Sequence, residues 1–347
     1  MKNRAKISKT YNYLFRSAIF ILTYGFIYHE IFYTKDLHSA LAFIKDPAGK
    51  KEFSQQLGIV IILMLANWSI ESFKWKYLIK KIENVSFIKS FEAVMTGISI
   101  STFTPNRTGE YLGRVFILER ASRIEGALIT FLGSLSQLLI TILAGTVSLF
   151  LCIPLIFGQS IVFSGYLYYG LLILISAFCI SLLLLYFNIS FLSALREKIL
   201  RYRLKKYRRF FRVFALFRFR ELFITVLLSL GRYLIFSFQY FLLLKMFSVP
   251  VPLAHALILV SLVFFLVTVF PTIALTELGI RGTVAIYLFG LYFSKKGVYT
   301  DYNIGVVSAS TLLWIINLAI PAIAGTFFVF RLKFFRKNNG EGYTGKS

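Results

Sequence analysis

The sequence predicts an all-α polytopic membrane protein with about six full transmembrane helices and two re-entrant helical hairpins. The 347 residues are 57% hydrophobic and 18% aromatic, with a mean hydropathy of +0.73, which is more apolar than soluble domains usually are. Several apolar runs reach the length of about 20 residues that crosses a bilayer. Two further apolar segments are interrupted by charged residues, Pro and Gly, which is typical of bent backbone buried inside a membrane protein.

Six apolar runs are long enough for full spans. Their approximate limits are residues 15–33, 57–77, 127–153, 166–187, 222–247 and 304–330. The first run has a longer apolar part than a signal peptide, and no small-x-small cleavage site follows it, so we interpret it as a span.

The two interrupted segments are predicted to form the hairpins. The stretch FTPNRTGEYLGR at 103–114 separates 13 mostly apolar residues at 91–103 from a short apolar run at 111–118. The stretch FPTIALTELGIRG at 270–282 follows a longer apolar run. About a dozen residues then form the second limb, which ends near Phe293. The short limbs do not reach across a hydrocarbon core of about 30 Å at 1.5 Å per residue.

The two hairpins share a local pattern of a Pro followed by Glu and Arg at positions i and i+4. The Pro and Gly residues break the incoming helix and allow a new one to start, which leaves free N–H groups at its N-terminus. Together with Arg side chains, such termini form an anion site. The residues predicted to shape the hairpins are Pro105, Gly109, Gly113, Pro271 and Gly279. The residues predicted to bind an anionic substrate are Arg107, Glu110, Arg114, Arg232, Glu277 and Arg281.

Two alternatives stay open for these charged residues. Glu-x-x-x-Arg also occurs as a surface ion pair, so the motifs alone are compatible with helices that end at the membrane surface. For Arg232, which lies about ten residues into a span, the candidate partners are a hairpin Glu or Glu71.

Lys74, Trp75 and Lys76 are interpreted as an interfacial anchor at the end of the second span. Asn67, Gln137, Gln239 and Asn317 are expected to form interhelical hydrogen bonds.

The distribution of basic residues predicts the orientation. With the N-terminus inside, 28 of the 39 Lys and Arg residues lie on the inner side and 7 on the outer side, and the other four lie within or beside apolar segments. This asymmetry predicts cytoplasmic N- and C-termini in the cell (inner) membrane. It also accounts for most of the net charge of +24, so we expect no nucleic-acid partner. The basic segment at 196–220, although it interleaves Arg with aromatic residues, is expected to bind membrane lipids.

The order of elements predicts an inverted-topology repeat within a single transmembrane domain at 1–347. Each of the halves, 1–160 and 161–347, gives two spans, a hairpin and a span, and the two halves begin on opposite sides of the membrane. The hairpin tips are therefore expected to approach each other near the midplane.

Neither a metal site nor a cofactor is expected, because the three His residues are scattered and no nucleotide-binding loop is present. The cysteines Cys152 and Cys179 are expected to be packed apolar residues.

These motifs resemble those of the lysylphosphatidylglycerol synthase transmembrane-region family, also called flippase-like integral membrane proteins. Pro105, Gly109 and Glu110 match a Pro–x–x–x–Gly–Glu motif of that family. Pro271 and Glu277 match a later motif loosely, because Ile273, Ala274 and Leu275 stand where glycines are expected. The resemblance covers nearly the whole chain and implies a stand-alone membrane region without the synthase domain.

The resemblance implies a lipid translocase rather than an enzyme. It would move an anionic or aminoacylated phospholipid, or a polyprenyl-phosphate-linked lipid, between leaflets, with the hairpins holding the anionic headgroup. Two alternatives are a non-catalytic membrane partner of a lipid-modifying enzyme and an intramembrane lipid-phosphate hydrolase. The hydrolase requires a nucleophile beside a base, and no His lies near either hairpin.

Overall fold

A computed structural model describes most of the chain. The described residues are 50–104, 107–157, 166–189, 212–269, 274–298 and 302–329, with five isolated positions among the first 49. Every regular element in these ranges is helical, which confirms the all-α prediction. Most of the predicted span at 15–33, most of the basic segment at 196–220, and Pro105 and Pro271 lie outside the described residues.

The described helices divide between the two predicted halves of the chain as follows. The first half contributes α1 (Lys50–Ile79), α2 (Phe87–Ser101), α3 (Gly109–Val115) and α4 (Arg123–Phe157). The second half contributes α5 (Tyr166–Phe187), a short 3₁₀ helix (Arg212–Leu216), α6 (Phe219–Met246), α7 (Leu253–Val269) and α8 (Ala274–Lys295). The last helix, α9, comprises Asn303–Trp314, Ile315–Ala319 and Ile320–Val329 without interruption.

Four of these helices are long and apolar enough to cross a membrane. They are Glu52–Ile79 in α1, Arg123–Ile153 in α4, Phe219–Met246 in α6 and Asn303–Val329 in α9. Helices α5 and α7 carry shorter apolar stretches, Leu172–Phe187 and Leu253–Thr268. The chain is therefore a multi-pass membrane protein.

The two hairpins differ in the length of their limbs. Helix α2 has 15 residues and α3 has 7, so neither reaches across about 30 Å at 1.5 Å per residue. Helix α8 has 22 residues, which is longer than predicted. The prediction of a short limb was wrong because the helix begins at Ala274 and includes the second polar cluster, where Glu277 and Arg281 pair along one helix face.

The first limb of each hairpin packs against the other half of the chain. Helix α2 lies against the C-terminal part of α9, and α7 lies against α4. Helices α1 and α6 pack against each other. One contact in the first interface is the hydrogen bond from the Ser99 hydroxyl to the carbonyl of Ala322, at 2.6 Å. The first limb of each hairpin thus contacts the last span of the opposite half.

Glycines allow the limbs of the first hairpin to touch backbone to backbone. A Cβ atom on Gly113 would lie 2.6 Å from Gly97 Cα. A Cβ atom on Gly109 would lie 2.5 Å from the Ile100 carbonyl oxygen. Gly109 and Gly113 are four residues apart, the small-xxx-small spacing that permits close helix packing in membranes. Gly279, in contrast, is exposed on α8 with no atom within 4 Å of an added Cβ.

Helix α9 contains a π-helical segment at Ile315–Ala319. The N–H of Ile320 bonds to the carbonyl of Ile315, five residues back. Pro321 follows, and it has no N–H to donate to the carbonyl of Asn317, so the regular α-helical pattern is interrupted here. Single π turns of this kind occur frequently at functional sites.

We expect Gly113→Ala to destabilise the protein, because the added methyl group collides with the backbone of α2. Overpacking of this kind costs about 1–3 kcal/mol. Gly279→Ala is the matched control in the second hairpin, and its open surroundings predict an unchanged or slightly higher stability. Thermal unfolding in detergent compares the two variants with wild type. Equal unfolding temperatures for the two variants would contradict the close contact between α2 and α3.

Candidate functional site

The buried carboxylate of Glu71 lies at the centre of a network of charged side chains. Its oxygens contact Lys74 Nζ at 2.9 Å and Arg114 Nη1 at 2.7 Å, and it also pairs with Arg232. These partners come from α1, α3 and α6. One carboxylate therefore connects three helices through three cations.

Lys74 lies inside this network. It is 1% exposed, and its ammonium group also donates to the Gly133 carbonyl and the Ser229 hydroxyl, both at 3.2 Å. Trp75 is likewise buried and donates to the Thr130 hydroxyl at 2.9 Å. The interpretation of Lys74 and Trp75 as an interfacial anchor was therefore wrong, because α1 turns both side chains towards the protein interior.

The first hairpin contributes the ion pair between Glu110 and Arg114. The two residues are four positions apart on α3, and the guanidinium of Arg114 contacts both Glu110 and Glu71. Arg114 is 2% exposed. Because burying an unpaired charge is costly, these two carboxylates are what permit the burial of Arg114.

The second hairpin contributes Glu277, which joins the two hairpins. On α8 it pairs with Arg281. Across the site, Arg107 Nη2 donates to both Glu277 oxygens, at 2.9 and 2.8 Å. The Arg107 side chain is 41% exposed, unlike the buried arginines. Its backbone has a φ of +54°, a left-handed conformation that is uncommon for a residue other than glycine.

Arg232 pairs with Glu71, which is one of its two predicted partners. Its Nε also donates to Asn67 Oδ1 at 2.9 Å, and its guanidinium carbon lies 5.2 Å from the centre of the Trp68 ring. These three contacts all come from α1. They fix the guanidinium beside the network rather than beside a hairpin glutamate.

A cavity of about 620 Å³ lies among these groups. Five of the six residues predicted to bind substrate line it: Arg107, Glu110, Arg232, Glu277 and Arg281. Arg114 lies behind this wall, bonded to Glu110 and Glu71. The structure thus brings together the charged residues of both hairpins and of α6 around one space.

Several lining residues were missed or assigned another role by sequence reasoning. Glu71 was expected only as a possible partner of Arg232, and Lys74 as an anchor, yet both line the cavity together with Trp314. The spacing of Glu71 and Lys74, three residues apart in an apolar span, was a usable signal. Asn317 and Gln137 also line the cavity, whereas Gln239 donates to the Val60 carbonyl at 2.8 Å.

The described part of the chain contains no cluster of three His, Cys, Asp or Glu side chains arranged to hold a metal ion. Its two cysteines, Cys152 and Cys179, are buried and form no disulfide. What the cavity offers instead is positive charge. Lys74 and three arginines line it, and together with Arg114 behind the wall these five cations meet the three carboxylates of Glu71, Glu110 and Glu277.

We expect Glu71→Gln to destabilise the protein strongly, because it leaves three cations with less compensation. Removing one partner of a buried ion pair costs about 3–5 kcal/mol. The control is Glu119→Gln, which removes the partner of Lys89 in an exposed ion pair and should cost at most about 1 kcal/mol. Thermal unfolding in detergent measures both. A Glu71→Gln variant as stable as the control would show that Glu71 does not hold the network together.

A family model described as the lysylphosphatidylglycerol synthase TM region matches residues 52–325. No curated protein and no solved structure matches the chain. The matched range begins in α1, ends in α9 and includes both hairpins and all the charged residues of the site. Because the match covers most of the sequence, the chain belongs to the lysylphosphatidylglycerol synthase TM region family.

Proposed function

We propose that the protein is a lipid translocase that moves an anionic or aminoacylated phospholipid, or a polyprenyl-phosphate-linked lipid, between leaflets. The observation that carries this proposal is the Arg107–Glu277 ion pair, which bridges the two hairpins at the wall of the cavity. An anionic headgroup competes with Glu277 for Arg107. Binding of the headgroup therefore releases the contact between the hairpins.

The charges around the cavity support an anionic headgroup. The site has two more cations than carboxylates among the described residues, and a guanidinium group binds phosphate through paired hydrogen bonds. Arg107 is suited to make this contact because its side chain is 41% exposed, whereas that of Arg281 is 7% exposed. We assign Arg107 the direct contact with phosphate, and we assign Arg114 the positioning of Glu110 and Glu71.

The apolar part of the cavity wall supports a lipid rather than a water-soluble anion. Phe131 and Leu138 on α4 line the cavity and are 43% and 39% exposed. In a membrane, exposed apolar side chains of a spanning helix face lipid. A headgroup in the cavity can therefore keep its acyl chains along α4 while its phosphate meets the arginines.

The predicted inverted repeat provides the proposed route between leaflets. The reciprocal packing of α2 on α9 and of α7 on α4 supports two related halves that rock about a shared site. In this scheme the chain lies in the cell membrane with both termini in the cytoplasm, as the distribution of Lys and Arg predicts. The basic segment at 196–220 then lies on the anionic cytoplasmic leaflet.

The hydrolase alternative receives less support from the cavity. Ser134, Thr141 and Thr268 line it, but their hydroxyls donate to backbone carbonyls of their own helices. None of the three is bonded to a carboxylate that would act as a base within the described residues, and a hydroxyl nucleophile requires such a partner. The alternative of a non-catalytic partner for a lipid-modifying enzyme is distinguished by the experiment below.

We expect purified protein in liposomes to accelerate the movement of fluorescent phosphatidylglycerol or phosphatidic acid between leaflets. Arg107→Gln should slow this movement at least about tenfold, because it removes charge-assisted hydrogen bonds to the headgroup. The matched control is Lys89→Gln, which removes a cation from an exposed ion pair outside the cavity. Accessibility of the fluorophore to a membrane-impermeant quencher measures the movement.

Equal rates with wild type, with Arg107→Gln and in protein-free liposomes would contradict the translocase. Release of phosphate from the lipid in the same vesicles would favour the hydrolase. Movement in none of the samples, together with co-purification of a lipid-modifying enzyme that survives Arg107→Gln, would favour the non-catalytic partner.

A further inference from the structure

The charged residues that line the cavity do not balance. They comprise four cations and three carboxylates: Lys74, Arg107, Arg232 and Arg281, with Glu71, Glu110 and Glu277. The described lining therefore has an excess of one positive charge, to which Arg114 adds a further one from behind the wall. Because a charge in a poorly solvated interior requires a counter-charge, this wall favours a headgroup of net negative charge and opposes one of net positive charge.

Two of the three carboxylates are already shared between cations of the protein. The partners of Glu71 are Lys74, Arg114 and Arg232, and those of Glu277 are Arg107 and Arg281. An ammonium group of a bound headgroup reaches either carboxylate only by displacing one of these cations. The displaced cation is then left without its partner, which is costly in a buried site.

Glu110 is the most exposed of the three carboxylates. Its side chain is 23% exposed, against 5% for Glu71 and 9% for Glu277. Its partner Arg114 also contacts Glu71, so Arg114 keeps a counter-charge when Glu110 is neutralised. One such carboxylate compensates one ammonium group, whereas a lysyl headgroup carries two at slightly acidic pH.

The uncharged polar residues of the wall suit the remainder of an anionic headgroup. Ser134, Thr141 and Thr268 line the cavity, and each hydroxyl donates its hydrogen to a carbonyl of its own helix. The hydroxyl oxygens keep the capacity to accept a hydrogen bond. Neutral acceptors of this kind suit the hydroxyl groups of a glycerol or sugar, but they do not supply the counter-charge that an ammonium group requires.

We propose that the cavity binds a lipid headgroup whose phosphate is its only charged group, with a neutral hydroxylated substituent, and that it excludes an aminoacylated headgroup. This inference rests on the proposed function for the lipid source, and it narrows the substrate class of the same site. Phosphatidylglycerol and a polyprenyl phosphate linked to a neutral sugar share this chemistry. The phosphate binds Arg107, which is the most exposed of the site's arginines, and thereby offsets the excess positive charge of the lining.

The test compares phosphatidylglycerol with its lysyl ester, carrying the same acyl chains, for binding to the purified full chain in detergent. A pH of about 6.5 keeps the amino groups of the ester protonated. We expect phosphatidylglycerol to bind at least about tenfold more tightly, because the ester replaces a net attraction to the wall by a net repulsion. A polyprenyl phosphate linked to a neutral sugar is the third probe, and it should also bind more tightly than the ester. The tighter of the two anionic lipids identifies the source of the headgroup.

Two variants that change the charge of the lining in opposite directions test its role. Glu110→Gln raises the positive excess and should increase the preference for phosphatidylglycerol about threefold to tenfold. Thr268→Asp adds a carboxylate at an exposed position of the lining and should reduce the preference by a similar factor. The control is Glu119→Gln, which makes the same change in net charge outside the cavity lining and should leave the preference unchanged. Thermal unfolding confirms that all three variants are folded.

Binding of the lysyl ester as tightly as phosphatidylglycerol would overturn the exclusion of aminoacylated headgroups, even if lipids moved between leaflets and the translocase stood. A preference that neither Glu110→Gln nor Thr268→Asp alters would overturn the assignment of the selection to this cavity. Preferential binding of phosphatidylglycerol without any movement of lipid between leaflets would instead contradict the proposed function and leave the charge selection intact.

Discussion

The arrangement of the site depends on the compensation of buried positive charge by Glu71. A single carboxylate, itself 4% exposed, is shared by cations from α1, α3 and α6. Each of these cations would be costly to bury alone. Sharing one anion forces the three helices to meet at one point, and this meeting leaves a polar cavity beside an otherwise apolar core.

The local part of this arrangement was predictable from the sequence. The spacing of Glu110 and Arg114, and of Glu277 and Arg281, placed each pair on one helix face, and both ion pairs are formed. The runs of apolar residues located the four long spanning helices within a few residues. Local spacing succeeds here because these contacts depend only on the geometry of a single helix.

The long-range part was not predictable in the same way. Helix α1 is apolar on most of its surface, so no periodicity shows which face points inwards, and Lys74 near its end was misread as an anchor. The contact of Glu71 with Arg232 spans 161 positions of sequence. The lengthening of α8 was missed because the polar cluster was taken as a break, whereas the ion pair within it supports a continuous helix. Trp314 gave no signal, because a tryptophan in a span is usually a packing residue.

The pairing of Glu71 with Lys74 has a consequence for how the chain enters the membrane. These two residues lie one helical turn apart, so they neutralise each other as soon as α1 forms. Arg114 is synthesised later and brings Glu110 on its own helix, whereas Arg232 pairs with Glu71 of α1. The local pair therefore lowers the cost of inserting α1, and the carboxylate that it brings into the bilayer then lowers the cost of burying the later arginines. The direction of synthesis therefore places the carboxylate of Glu71 in the bilayer before Arg114 and Arg232 arrive.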